Sequence, residues 1–134
     1  MELREGLIRD SGLVEKIEKS RIPKVLLISF RGNVVNVKMD LLRDLLVFNE
    51  GDKVEFVLSR EMPQYVEGRD FLGWGYVVSK KRESVKSNAG EVAEVDKLLV
   101  SLWGYLFVIE SKEKISDLFE VMDKVYVKIS KEGS

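Results

Sequence analysis

Two segments of this sequence place glycine beside tryptophan and tyrosine inside apolar runs typical of β-strands. The first covers residues 71–78 (FLGWGYVV) and the second residues 101–109 (SLWGYLFVI). Glycine weakens a strand interior, so it usually marks a bulge, a sharp bend in a barrel or a close approach of two backbones. Both tryptophans of the chain lie in these segments. We therefore predict a small β-barrel with an aromatic contact surface.

Short strand patterns separated by turn signals account for most of the remaining chain. Runs that are rich in β-branched residues or alternate with period two occur at residues 25–30, 35–39, 54–58 and 125–129. Because no long helical crossover separates them, their spacing favours an antiparallel sandwich or closed barrel over a parallel sheet. The sequence predicts one all-β domain over residues 1–134, with about eight short strands.

Four segments interrupt the strand pattern. Leucines recur with helical spacing at residues 40–47, where Asp40 could cap a short helix. A second helical turn is expected within residues 111–120. Residues 81–95 are the most polar stretch, and we expect an exposed, mobile hairpin connection there. Residues 131–134 are expected to form a polar tail.

The chain has neither cysteine nor histidine, which limits its chemistry. Without them, disulfides, thiolate nucleophiles, the usual zinc sites and the commonest general acid–base are excluded. Carboxylate pairs such as Asp40 with Asp44 follow no known metal-ligand pattern. We expect no catalytic residue, metal site or cofactor. The remaining enzymatic alternative, a small carboxylate-dependent enzyme, predicts a concave site with a carboxylate of raised pKa.

Glycines and aromatic residues of the two segments are the candidate binding surface. They are Phe71, Gly73, Trp74, Gly75, Tyr76, Trp103, Gly104 and Tyr105. Aromatic side chains on a barrel can stack the bases of single-stranded nucleic acid, but tryptophan and tyrosine are also preferred anchors of protein–protein interfaces. Strand alternation sends about half of such residues into the core. We favour a protein–protein anchor and keep base stacking as the alternative.

A local basic cluster follows the first segment directly. It comprises Lys80, Lys81, Arg82 and Lys86. Proteins that hold nucleic acid through its phosphates usually carry a basic excess, whereas the net charge of this chain is −1. The default interpretation of the cluster is a solvated loop. A contact with phosphate or with an acidic partner is the alternative.

Cellular location is constrained only by what the sequence lacks. No apolar run approaches the ~20 residues that a membrane helix needs, and the N-terminus is too charged for a secretory signal. We therefore expect a cytoplasmic protein that does not contact membranes. Glutamine occurs once, whereas lysine and glutamate dominate the polar residues. That profile is typical of proteins from hyperthermophiles.

Taken in order, several short motifs resemble the archaeal RNA polymerase subunit 8 family. This family, also called the G subunit, is related to the eighth common subunit of eukaryotic nuclear RNA polymerases. The resemblance is carried by residues 70–78, 101–109 and 122–127, and by earlier portions at residues 36–40 and 54–59. The family's glycine after an aromatic residue matches Gly75, and its glycine before a leucine-containing run matches Gly104.

The resemblance implies an eight-stranded antiparallel barrel similar to an oligonucleotide-binding fold, with one or two short helices. It also implies a non-catalytic subunit that docks on the largest polymerase subunit, outside the enzyme near its funnel and pore. Catalytic contact with nucleic acid would then belong to other subunits. Relatives carry a second glycine where this chain has Trp103, and residues 1–20 offer no firm match.

We therefore predict a structural subunit of archaeal DNA-directed RNA polymerase that supports assembly and transcription. The alternative is an independent barrel that binds single-stranded nucleic acid. That alternative predicts oligonucleotide affinity with a steep salt dependence that is lost when the basic cluster is neutralised.

Overall fold

The computed structural model describes residues 1–132, which form nine strands and two 3-10 turns. The strands are β1 (Glu2–Arg4), β2 (Leu7–Lys19), β3 (Val25–Gly32), β4 (Val35–Leu42), β5 (Lys53–Ser59), β6 (Phe71–Lys86), β7 (Val92–Leu102), β8 (Tyr105–Ser111) and β9 (Lys124–Lys131). The 3-10 turns are η1 (Arg43–Leu45) and η2 (Ile115–Leu118). Neither turn in this part of the chain has the length or apolar character of a membrane-spanning helix.

Eight of these strands close into a ring. Their order is β2-β3-β4-β8-β7-β6-β9-β5, and β5 pairs again with β2. Every neighbouring pair is antiparallel. The remaining strand, β1, forms a hairpin with β2 outside the ring. The predicted all-β, eight-stranded antiparallel barrel is therefore confirmed.

Apolar side chains fill the interior of the ring. In β4, for example, Val35, Val37, Met39 and Leu41 are buried while the intervening residues are more exposed. Phe56 and Phe107, from opposite parts of the ring order, are both fully buried. An eight-stranded barrel is just wide enough for side chains to occupy its interior. The barrel is therefore a packed body whose contacts with other molecules must be made from its outside.

The helix predicted at residues 40–47 is wrong in extent. β4 continues to Leu42, and only Arg43–Leu45 form a 3-10 turn, which has no side-chain cap. Asp40 lies opposite Leu27 in the β3–β4 ladder rather than capping a helix. Pairing with β3 overrides the local leucine spacing, because each ladder hydrogen bond also brings a side chain into the barrel core. The second helical turn, η2, is confirmed, with Ile115 buried.

The hairpin connection predicted at residues 81–95 is much shorter in the structure. β6 extends to Lys86 and β7 starts at Val92, so the connection covers only residues 87–91. We call the paired segments 79–86 and 92–98 the ribbon. Ribbon residues are polar because they face solvent and one another across the strands, not because they form a loop. Their polarity therefore misled the assignment.

The predicted polar tail at residues 131–134 also begins later than expected. Lys131 belongs to β9, and the backbone N–H of Glu132 donates a hydrogen bond to the carbonyl of Lys53, with N and O 2.9 Å apart. The Ser11 hydroxyl also donates to the Glu132 carboxylate. Residues 133 and 134 lie outside the described part of the chain. The barrel therefore continues at least to Glu132.

Candidate functional site

Two glycines determine which way the aromatic residues of β6 face. Gly73 and Gly75 point into the barrel, so the intervening Trp74 and the following Tyr76 point outward. A Cβ atom at Gly75 would lie 1.8 Å from the backbone oxygen of Ser101 in β7. Only glycine avoids that collision without a shift of the neighbouring strand. The predicted close approach of two backbones is therefore confirmed at this position.

Gly75 also lies where β6 changes partners. Residues 71–76 pair with β9, whereas residues 76–86 pair with β7, with a register shift between Val77 and Ser79. Shifts of this kind bend and twist a strand. The bend carries β6 from the barrel wall into the ribbon and leaves its aromatic residues on the outer wall.

The outward residues of β6 and β9 form one compact surface, which we call the aromatic platform: Trp74, Tyr76, Lys124 and Tyr126. Trp74 lies opposite Tyr126, and Tyr76 lies opposite Lys124. The Trp74 and Tyr76 rings meet edge to face, with centroids 6.2 Å apart. Trp74 is 42% exposed and Tyr76 is 41% exposed. Large aromatic side chains are thus held in a defined arrangement while much of their area faces solvent.

Lys124 completes the platform as its cation. Its Nζ lies 4.8 Å from the centroid of the Trp74 ring and 5.5 Å from that of Tyr126. Cations are attracted to aromatic faces at such distances. Sequence reasoning missed both Lys124 and Tyr126. The alternation of β9 indicated that they face outward, but nothing local indicated that they lie beside Trp74.

Trp103 and Gly104 form the tight turn between β7 and β8. Their φ angles are 53° and 92°. Two-residue hairpin turns with positive φ at both positions match the twist of the flanking strands, which explains the glycine. A Cβ placed on Gly73 would lie 3.4 Å from Cη2 of Trp103, so this ring reaches β6 at the barrel end. The predicted division of the second segment into two strands at Gly104 is confirmed.

The other predicted aromatic residues belong to the core or its edge. Phe71 is buried and stacks on Phe107, with ring centroids 6.4 Å apart. Tyr105 is half-buried against the core cluster. The eight predicted residues therefore divide by position. Trp74 and Tyr76 lie on the platform, Trp103 and Gly104 in an exposed turn, and the remaining four support the barrel from inside or at its edge.

Three of the four residues in the predicted basic cluster are engaged within the protein. Lys80 Nζ donates to the carbonyl oxygens of Ser116 and Phe119, both at 3.1 Å. Arg82 Nε lies 2.7 Å from Asp96 Oδ1, and Lys81 Nζ lies 3.0 Å from Glu83 Oε1. In the described residues 1–132, Lys86 is the one member without such an ion pair. The cluster therefore ties the ribbon and η2 together.

Buried carboxylates of the barrel are held in the charged state. Burial tends to raise the pKa of Asp96, but hydrogen bonds from Arg82 and from the Ser116 hydroxyl and N–H lower it overall. Burial likewise opposes, without overcoming, the lowering of the Asp123 pKa by the Glu120 N–H and by Arg60. A general acid needs the opposite shift. These carboxylates are thus placed to connect elements rather than to transfer protons.

Potential metal ligands do not converge in the described chain. Within residues 1–132, no group of three or more acidic side chains is arranged to hold a metal ion. Asp10, one of the buried carboxylates, accepts hydrogen bonds from the backbone N–H groups of Val34 and Val35 at 2.7 and 2.9 Å. It thereby supports the β3–β4 turn. The exposed platform is the feature of the molecule with no internal structural role that accounts for it.

Comparison with known proteins gives consistent matches over nearly the whole described chain. A family model for the G subunit of DNA-directed RNA polymerase matches residues 7–132. The chain is 29% identical to DNA-directed RNA polymerase subunit Rpo8 of Sulfolobus acidocaldarius over 123 residues, which cover 90% of this chain and 94% of the relative. It is 26% identical to subunit Rpo8 of Saccharolobus solfataricus over 121 residues, 88% of each chain.

Proposed function

We propose a function for this chain from one premise: it belongs to the family of the G subunit of DNA-directed RNA polymerase. Membership confirms the resemblance drawn from the motifs of the sequence. It makes the chain a structural subunit of archaeal RNA polymerase. We propose further that the subunit is itself non-catalytic, docks on the largest subunit and supports assembly and transcription. The proposal includes a cytoplasmic location, where archaeal transcription takes place.

The aromatic platform is the observation that carries the docking proposal. Tryptophan and tyrosine are the commonest energetic anchors of protein interfaces. Trp74 and Tyr76 are exposed, yet they are held by each other and by Lys124, so they lose little side-chain entropy on binding. The β6–β9 ladder beneath them is part of a closed barrel. A rigid aromatic surface of this kind suits a stable contact between subunits.

The chemistry of the described residues supports a non-catalytic role. Asp96 and Asp123 have lowered pKa values and are occupied by hydrogen bonds with Arg82, Ser116, Arg60 and Glu120. Apolar side chains occupy the interior of the barrel, where an enzyme of this architecture would hold its substrate. Activity of the assembled polymerase would then reside in other subunits.

The alternative function, independent binding of single-stranded nucleic acid, has less support. It relied on a free basic cluster, but Lys80, Lys81 and Arg82 already bind oxygen atoms of this chain. A contact to phosphate would have to compete with those partners. Oligonucleotide binding by the isolated chain at low salt, falling steeply as salt rises, would favour the alternative over docking.

Association with polymerase tests the proposal directly. The tagged full-length chain is added to polymerase reconstituted without this subunit, and binding is measured alongside cross-linking to the largest subunit. We expect the double variant Trp74→Ala, Tyr76→Ala to bind at least about tenfold more weakly, because two anchors are lost. The matched control is Val85→Ala, Val92→Ala, which removes exposed apolar side chains from the ribbon. Unchanged binding by the platform variant would exclude the platform as the docking surface.

A further inference from the structure

The lysine of the platform differs from a second lysine on the same strand face. Lys128 Nζ lies 3.8 Å from Glu55 Oε1 and donates to the carbonyl of Gln64 at 3.0 Å. Lys124, four residues earlier, is exposed and contacts the faces of Trp74 and Tyr126. Within residues 1–132, no carboxylate lies within salt-bridge distance of its Nζ.

That environment suits a carboxylate supplied from outside. An ammonium group has three N–H donors, and aromatic faces attract its charge without providing strong hydrogen-bond acceptors. The rings also restrict the long lysine side chain, so less conformational entropy remains to be lost on binding. A partner carboxylate placed above Lys124 would therefore meet a cation that is already positioned and has donors to offer.

An apolar position lies on the same outer wall, across the sheet from Lys124. Along the ladder, Lys124 pairs with Tyr76, Tyr76 with Ser101, and Ser101 with Leu106. Leu106 is 43% exposed. With neighbouring strands about 4.8 Å apart, three strand spacings separate Lys124 from Leu106 by roughly 14 Å. Tyr76 lies between them and offers a continuous apolar path.

We propose that the platform binds an acidic segment of the partner protein, with an aspartate or glutamate on Lys124 and an apolar side chain toward Leu106. This inference rests on the proposed docking function and specifies the chemistry of its partner. Trp74 and Tyr126 orient the lysine, and Lys124 selects for the carboxylate. Charge complementarity at this point directs a protein with a nearly neutral net charge to one binding orientation.

Substitutions at Lys124 separate charge from packing. Affinity for polymerase reconstituted without this subunit is measured over a range of salt concentrations. We expect Lys124→Glu to weaken binding by about tenfold or more, because it places two carboxylates together. Lys124→Met, which keeps the aliphatic stem, would bind several-fold more weakly and show a flatter salt dependence. The control Lys112→Glu makes the same charge change at an exposed lysine outside the platform and would bind like the parent chain.

The outcomes distinguish this inference from the docking proposal. If Lys124→Glu binds like its control while Trp74→Ala is impaired, docking by the platform stands and the carboxylate contact is excluded. If the parent chain does not associate with polymerase, the docking function itself fails. Equal weakening by Lys124→Glu and Lys112→Glu would also overturn the inference, because a general effect of net charge would then explain both.

Zero-length cross-linking identifies the partner group. A carbodiimide joins the Lys124 amine to a nearby carboxylate as an amide and takes up the lost water as a urea. We expect mass spectrometry of the assembled polymerase to find Lys124 joined to an aspartate or glutamate of another subunit. Ultraviolet cross-links from Trp74 or Tyr126 to nucleic acid, with no amide at Lys124, would instead assign the platform to nucleic acid and exclude the acidic segment.

Discussion

The two halves of β6 expose their side chains in different ways. Residues 79–86 run into the ribbon, where charged side chains meet opposite charges, as in the pairs Arg82–Asp96 and Lys81–Glu83. Residues 71–76 lie in the barrel wall, where Trp74 and Tyr76 are exposed beside Lys124. The ribbon half satisfies its own charges and is suited to water. The barrel half leaves aromatic area and a cation unsatisfied, which is the pattern expected of a binding surface.

The largest expected effect tests why the barrel half carries glycine. Gly75→Ala would place Cβ 1.8 Å from the backbone oxygen of Ser101, so β7 must move. We expect the free energy of unfolding to fall by about 3 kcal/mol or more, or the barrel not to fold. The measurement is chemical denaturation.

Gly73→Ala is the matched control, because the new Cβ meets the side-chain atoms Phe71 Cζ at 3.1 Å and Trp103 Cη2 at 3.4 Å. Side chains yield more readily than backbone, so the expected loss is about 1 kcal/mol. Equal losses at the two positions would contradict a specific backbone approach at Gly75.

The second prediction concerns the internal satisfaction of the ribbon half. Asp96→Asn removes a buried charge that receives hydrogen bonds from Arg82 Nε at 2.7 Å and from the Ser116 hydroxyl and N–H. We expect a loss of about 2 kcal/mol in unfolding free energy, because the remaining amide cannot satisfy all its donors. Glu94→Gln, at the exposed partner of Arg82, serves as the control and is expected to cost under about 0.5 kcal/mol. Similar losses in both variants would refute a special role for the buried carboxylate.

Acid sensitivity follows from the same carboxylate. The pKa of Asp96 in the folded protein lies below its ordinary value of 3.8, so its contribution to stability is complete above that value and is lost as pH falls through the folded pKa. Denaturation midpoints measured between pH 7 and pH 2 are expected to fall less steeply below about pH 4 in Asp96→Asn than in the parent chain. Parallel curves would show that this carboxylate does not contribute to acid unfolding.

The smallest expected effect on stability is at the platform itself. Trp74→Ala removes an edge-to-face ring contact and a cation–π contact, but the side chain is already partly exposed. We expect unfolding free energy to fall by only about 1 kcal/mol. Thermal or chemical denaturation checks this value. A loss as large as that of Gly75→Ala would place Trp74 in the structural framework and weaken its assignment as a binding residue.

Local patterns predicted the type of fold and part of the candidate site. The alternation of residues 35–39 and 54–58 indicated strands, and glycine beside Trp74 indicated a close backbone approach in a barrel. The same reasoning failed at residues 40–47 and 81–95, where helical leucine spacing and high polarity were both overridden by pairing with a neighbouring strand. Composition indicates which side chains prefer water, but it does not reveal a partner strand that satisfies polar groups.

By itself, the sequence determined that this chain forms a barrel with outward-facing aromatic residues. Side chains in a strand alternate between two faces, and the inward glycines set that alternation around Trp74 and Tyr76. Only the tertiary structure decided that Lys124 and Tyr126 lie beside them and that Lys80 binds the carbonyls of η2 instead of solvent. The physical reason is register: the pairing of β6 with β9, nearly fifty residues later, depends on closure of the whole ring.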